Sequence, residues 1–509
     1  MSLQVHCCRS DTSPSATVVN FISPINGQIF TSTEHRGTVI CATAGVFSNW
    51  NIALPSAPGG GKSFTFTLRK NQVDTAAVIV ISGTNTSGSY IPAISLAEGD
   101  EITIRCTPAS TPTVSEPSIC WDFSSSNISE SIYGMANTAG PIAVSRENRF
   151  FFAIDASNWT TPNAREIVTT AGVVSKYIVK LDATPAGGTT LTFLVTKNGT
   201  DQDGSGGTSD TRLVFNNGDL KKTATFSLSL AEGDLTTFKC NVTGSPGTPR
   251  PIFGLVYTST TEGESIFGSN FLAALDTTLT EYGRVGSSIP NSIDDLSVTE
   301  ANEEVVVGIT GFNLRRMRVA LNSSPGAGTS YQFTTRRRRR NTALKVTISD
   351  LNTSGSKLTG AVALNSGDTF DVQVLPTGTP STRNGGWFFV QTQTGDPTSP
   401  PVIPSLGVPV SLFLVSSADF PFDGTAFALP VKSTRITWKT QFAVAPASIQ
   451  IDLEISLDGI NWATLDSTTS TSGEIRSKRV NAPFIRAVGV SASGGSGITA
   501  FLTAYKEKN

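Results

Sequence analysis

The stretch Ser95–Pro112, "SLAEGDEITIRCTPASTP", sets a Glu-Gly-Asp turn in front of a segment rich in β-branched residues. It returns as "SLAEGDLTTFKCNVTGSPGTP" from Ser229 and as "ALNSGDTFDVQVLPTGTP" from Ala363. The Gly-Asp aspartates Asp100, Asp234 and Asp368 therefore stand 134 residues apart each time (234 − 100 and 368 − 234). A period that long means tandem whole domains, because solenoid and propeller repeats are several times shorter.

Upstream of each block lies a second shared one: "AGVFSNWNIALPSAPGGGKSFTFTLRKN" from Ala44, "AGVVSKYIVKLDATPAGGTTLTFLVTKN" from Ala171 and "TGFNLRRMRVALNSSPGAGTSYQFTTRRR" from Thr310. "ESIYG" from Glu130 and "ESIFG" from Glu264 keep the same spacing. Apolar residues alternate with polar ones, as in Phe64, Phe66, Leu68 and in Leu191, Phe193, Val195. Such alternation marks strands with one buried face, and the Pro-Gly and Glu-Gly-Asp stretches mark the turns between them.

The predicted fold is all-β: three tandem β-sandwich repeats, jelly-roll-like, plus a smaller C-terminal β-sandwich. The expected divisions are an N-terminal arm over 1–14, repeats over 15–128, 129–262 and 263–395, a Pro-rich linker over 396–409 ("DPTSPPVIPSLGVP" begins at Asp396) and a non-repeating module over 410–509.

Composition agrees. Of the 509 residues only 15 % are charged, the net charge is −2, and there are only two histidines. Near-balanced charge offers no global case for nucleic acid or a membrane surface, so any basic function must be local. No apolar run is long enough to span a bilayer, and the start "MSLQVHCCRSDTSPS" has no secretory leader pattern. With His6 and His35 alone, no Ser-His-Asp or Cys-His arrangement is expected inside a repeated core, and a non-enzymatic protein without cofactor follows.

The six cysteines read as structural. Cys106 and Cys240 share a repeat position with Val374, and Cys41 shares one with Val168 and Val307. Cysteine that alternates with valine acts as a small hydrophobe, and Cys120 beside Trp121 reads the same way. His6, Cys7 and Cys8 are adjacent with no CxxC partner, so they are assigned to a flexible arm and to no metal site. "DQDGSGGTSD" from Asp201 shares features with a calcium loop but lacks the distal glutamate, and a hairpin insertion is the expected structure. "SLDGINW" from Ser456 reads as a hairpin turned at Asp458-Gly459.

The local basic feature is "TTRRRRRNT" at Thr334–Thr342, which holds Arg336, Arg337, Arg338, Arg339 and Arg340. Aligned with repeats one and two, the run falls where "RKNQVDT" and "TKNGTDQDGSGGTSD" leave a strand for a hairpin tip. Alternation forbids burying every second arginine without partners, so the run is expected outside the core. Three roles stay open: a solvated hairpin, a docking tip for an acidic neighbour, or a phosphate grip. A docking tip would meet acids such as Asp201, Asp203 and Asp210 of another subunit.

"FTFTLRKNQVDTAAVIVISG" and "LAEGDEITIRCTPASTP" resemble modules of structural proteins of tailed bacteriophages. "LEISLDGINWATLDS" followed by "APFIRAVGVSASGG" resembles the small sandwich ends of phage virion proteins. The resemblance implies a virion surface component, either capsid decoration or head fibre, or tail or baseplate fibre. It also implies other virion proteins as partners, a homotrimer, and assembly in the host cytoplasm. The alternative is a carbohydrate-binding adhesin that reads a host surface glycan through exposed aromatics such as Phe420, Phe422 or Trp438.

Overall fold

The computed structural model describes residues 3–393, apart from 26, 28, 128, 136–141, 143–147, 151–165, 246, 248, 272 and 287–295, and residues 410–506, apart from 416–421, 424–426, 429–433 and 458–461. The Pro-rich linker over 396–409 lies outside them. Among the described residues, no helix is long and apolar enough to cross a membrane.

The first repeat shows how the sandwich is made. Its strands are β1 (Leu3–Arg9), β2 (Asn20–Ile22), β3 (Val39–Ile40), β4 (Gly45–Ala53), β5 (Gly59–Lys70), β6 (Val73–Gly83), β7 (Ser87–Tyr90), β8 (Ile94–Leu96), β9 (Glu101–Ala109) and β10 (Ser118–Ser125). One sheet runs β1-β10-β4-β7 with β8 also on β4; the other runs β2-β9-β5-β6 with β3 also on β9. Counting β2 with β3 and β7 with β8 as split strands, the orders are 1-8-3-6 and 2-7-4-5. That is the eight-stranded jelly roll, whose two sheets bury one face each against a shared core. Phe64, Phe66 and Leu68, alternate residues on β5, are fully buried there with Trp50, Trp121 and Phe123.

Repeats two and three take the same order: Glu130–Met135, Pro251–Ser259, Gly172–Leu181 and Lys221–Leu230 in one sheet of the second, Glu264–Phe271, Gly385–Gln393, Phe312–Leu321 and Ser354–Leu364 in that of the third. The C-terminal module, non-repeating in sequence, has it too: Val410–Val415, Ile498–Lys506, Thr434–Gln441 and Glu474–Val480 face a sheet built on Phe484–Ser493 and Ser448–Ser456. The hairpin expected at "SLDGINW" is formed, with Ser456 opposite Trp462, although its tip lies outside the described residues.

The N-terminal arm is a correction. Leu3–Arg9 is the first strand of the first jelly roll and pairs along its length with β10. Without it β10 would be a bare edge, and an unpaired edge beside a buried face invites foreign strands. His6, Cys7 and Cys8 are thus buried instead of flexible, with His6 stacked on Trp121 at a centroid distance of 4.5 Å. Cys7 and Cys120 face each other directly with Cα atoms 4.2 Å apart and form a disulfide, where the sequence suggested an arm residue and a core hydrophobe. Cys8, Cys41, Cys106 and Cys240 are buried thiols, packed as small hydrophobes.

The three repeats close on one another in a cycle. From repeat one to two, Ile40 and Ala42 pack on Ile178, Ile252 and Val256, and Lys176 Nζ reaches Glu98 at 2.7 Å. From two to three, Thr169 Oγ1 donates to the Phe389 carbonyl at 2.8 Å and Arg318 meets Glu232 at 2.6 Å. From three to one, the Val306 N–H donates to Ser118 Oγ at 3.1 Å, and buried Arg284 binds Glu116 at 2.8 Å. The same parts are used each time: the segment before the Gly45, Gly172 or Gly311 strand rests on the last strand of the next repeat. Near the middle the opening strands interlock. Gln4 Oε1 accepts from Ile132 N, Tyr133 Oη accepts from Ile266 N, and Gln391 brackets Val5 by accepting from its N–H at 3.1 Å and donating to its carbonyl at 2.7 Å. One chain thus builds the closed, head-to-tail ring that cyclic oligomers build from identical subunits.

Asp122 sits at the closing seam, where it accepts from Asn49 Nδ2 at 2.7 Å and from Thr310 Oγ1 of the third repeat at 2.5 Å. Burial pushes its carboxyl up to about 6, against the downward pull of those two bonds. The native state therefore holds this proton more tightly than the unfolded chain. The stabilisation is complete below pH ~4 and is lost as pH rises to about 6, a change of roughly 3 kcal/mol. Asp122→Asn, which stays neutral, should gain on the wild type between pH 4 and pH 7 by that order in unfolding midpoints, and a pH-independent difference would refute the assignment.

Candidate functional site: an arginine hairpin on its own carboxylates

Strands Gly326–Arg337 and Arg340–Asp350 make the hairpin that carries the arginine run, with Arg337 opposite Arg340 and a two-residue tip between them. Tip residues Arg338 and Arg339 have φ of 48° and 61°. Left-handed φ at both positions is the tight hairpin turn that favours Asn-Gly, since it matches the twist of the strands. Repeat two has that pair, Asn198 (φ 50°) and Gly199 (φ 82°), and repeat one has Asn71 (φ 52°) and Gln72 (φ 65°). Arginine at both positions is conformationally costly, so something must offset it.

The offset comes from the Gly-Asp turn. In repeat one Asp100 accepts from its own Ala97 N–H and from Asn71 Nδ2, each at 2.7 Å, with Lys70 Nζ at 3.5 Å. In repeat two Asp234 accepts from the Ala231 N–H at 2.7 Å and Asn198 Nδ2 at 2.8 Å, with Lys197 at 3.1 Å. Burial raises both carboxyls, yet these donors outweigh it and hold both below the ordinary carboxylate range. The two repeated sequence blocks are thus the two halves of one clasp.

In repeat three the clasp is rebuilt in arginine. Asp368 still accepts from the Asn365 N–H at 2.7 Å, but Arg337 Nε now donates to it at 2.5 Å and Arg338 Nε sits on its other oxygen. Arg336 lies flat against Glu300 through Nε at 2.6 Å and Nη2 at 3.1 Å, donates to Asn341 Oδ1 at 2.6 Å, and covers the Tyr282 ring. Arg339 is bidentate on Glu304 at 3.1 and 2.8 Å.

This corrects the exposed position expected for the run at Arg336 and Arg337, while Arg339 at the tip is exposed as expected. Arg336 and Arg337 are 8 % and 5 % exposed. Alternation was a sound argument against unpaired arginines only, and carboxylates from remote sequence supply the pairing. Asp201, Asp203 and Asp210 are not the partners within this chain. Asp201 binds Lys239 at 2.9 Å, Asp203 accepts from Ser205 N and Oγ, and Asp210 is held at about 2 by its bond to Arg212. They turn to separate neighbours and do not converge as a calcium loop; Asp203 and Asp210 bridge as the insertion's own hairpin.

Of the aromatics, Trp438 is 1 % exposed and its Nε1 donates to Asp466 at 3.1 Å. It is core, and its glycan role is withdrawn. Phe420 lies outside the described residues, and Phe422 opens the strand Phe422–Asp423 beside Phe484–Ser493. Sequence reasoning missed Glu300, Glu304 and Asp371, which carry no repeat signal.

No protein-family model matches this chain, and no curated protein matches it either.

Arg337→Ala should strand Asp368, which is wholly buried, and lower stability by about 3–5 kcal/mol. Arg338→Asn restores the residue of the other two repeats and relieves the left-handed backbone, so its effect should stay within about 1 kcal/mol. Urea unfolding of both variants checks this; equal losses would mean that the clasp is not organised around Asp368.

Proposed function

We propose that the chain is a non-enzymatic structural component of a bacteriophage virion surface, of the capsid-decoration or head-fibre kind or of the tail or baseplate fibre kind. The observation that carries the reading is the closed ring of three jelly rolls, in which each repeat is tied to the other two. Its histidines serve packing: His6 is stacked in the core, and His35 Nε2 lies 3.4 Å from the Arg250 carbonyl. Those placements favour a scaffold over acid-base chemistry.

Its partners are other virion proteins, met in the host cytoplasm during assembly. A homotrimer, implied by the resemblance, would have to use outer faces, because the ring contacts are already made within one chain. The edge strand β6 offers such a face, with Val73, Val78 and Val80 at 68 %, 41 % and 57 % exposure.

Gold-labelled antibodies raised against the full chain, applied to particles released by lysis, test this in the electron microscope. Label on heads or on tails is the expected result and separates decoration from fibre. Antigen that stays wholly in the soluble fraction, with bare particles, overturns the proposal.

A further inference from the structure

Beneath the arginine tip lies a group of acids that the clasp does not use up. Glu300 opens the short turn Glu300–Asn302, Glu304 follows it, and Asp371 stands on the strand Thr369–Thr377. Each offers a carboxylate oxygen, and these oxygens lie within 4.8 Å of one another. Asp371 is fully buried, directly across the ladder from Arg336. Among the described residues, neither of its oxygens has a hydrogen-bond partner. Arg336 is no remedy, since its donors go to Glu300, Asn341 and the Arg339 carbonyl.

A buried carboxylate with two empty oxygens, aimed at two more carboxylates, is the arrangement that polar burial forbids unless a cation or a proton fills it. We propose that Glu300, Glu304 and Asp371 hold a calcium ion at the base of the arginine hairpin. The donors are all hard oxygens, which suit calcium and magnesium and not the softer metals. Two ligands on opposite sides of calcium, each about 2.3–2.6 Å from it, lie about 4.6–5.2 Å apart, so oxygens within 4.8 Å fit one ion; magnesium needs a tighter, near-octahedral cage.

The arginines do not preclude this. Each carboxylate has about four acceptor positions, so Glu300 can keep Arg336, and Glu304 can keep Arg339 and Thr369 Oγ1, while lending a lone pair to the ion. With those two arginines offsetting the two glutamates, Asp371 is the surplus negative charge. Burial, then Glu300, pushes its carboxyl well up, while Arg336 pulls the other way. A divalent ion would relieve that repulsion and tie the turn at residues 300–304 to the strand beneath the tip.

The test is calorimetric titration of the chelator-treated full chain with calcium chloride into the low-millimolar range, with melting temperature followed in parallel. One calcium per chain and a rise of a few degrees are expected, with both lost in Asp371→Asn. Should that variant not fold, Glu300→Gln, at a partly exposed position, must weaken calcium binding at least tenfold. No binding heat together with an unchanged melting temperature overturns the proposal and leaves Asp371 a buried neutral acid. Calcium binding that survives Asp371→Asn overturns the ligand assignment, and an equal response to magnesium overturns the choice of ion.

Discussion

An aspartate in a tight turn, holding the tip of a hairpin from the neighbouring strand, is the interaction on which each of the three repeats depends. The turn at Asp100, Asp234 or Asp368 leads into the strand that runs down the centre of one sheet, and the hairpin belongs to the next strand over. Tip N–H groups fix the same register each time: Asn71 donates to the Glu101 carbonyl, Asn198 to Leu235 and Arg338 to Thr369, at 2.7–2.8 Å. A one-residue slip there would turn every buried side chain outward, so the clasp sets the core as much as the core sets the clasp. It also explains why two sequence blocks some 30 residues apart recur together.

The third clasp shows what happens when the ligand of such an aspartate changes. A neutral amide with a lysine behind it is replaced by guanidinium groups, and the charge that enters must be answered. Arg336 and Arg339 pair instead with Glu300 and Glu304. Bidentate carboxylate pairing suits arginine where a lysine would give only a point contact. The five-arginine run therefore reads in the structure as a local ion network, built where the other repeats make do with asparagine.

The strands, their alternation and the repeat period were legible because they are local properties: each depends on residues a few positions apart. Phe64, Phe66 and Leu68 declare a buried face in five residues. What was hidden depended on distance or on a missing signal. Leu3–Arg9 is too short, and too close to two cysteines and a histidine, to stand out as a strand, and its place is decided by β10 more than a hundred residues later. Trp438 shows no sign in sequence of the Asp466 that caps its indole. The C-terminal module has the jelly-roll order although its sequence does not repeat that of the other three, since strand order rests on burial pattern and connection length, which many sequences satisfy.

Joining three jelly rolls in one chain changes what the ring can do. In a ring of identical subunits any change at a hairpin tip appears three times, and a tip of five arginines would bring fifteen into one small body. Here the tips have diverged separately: Lys70-Asn71-Gln72 is compact, Lys197-Asn198-Gly199 leads into an acidic insertion, and Arg336 to Arg339 carry the ion network. The seams have diverged too, with lysine on glutamate between the first two repeats, arginine on glutamate between the next two, and buried Arg284 on Glu116 beside the Asp122–Thr310 contact at the closure. A single chain keeps its repeats in order whatever each seam contributes, because the linked repeats meet at high effective concentration. Individual seams and tips were therefore free to take on different chemistry, and the third repeat is where that freedom has gone furthest.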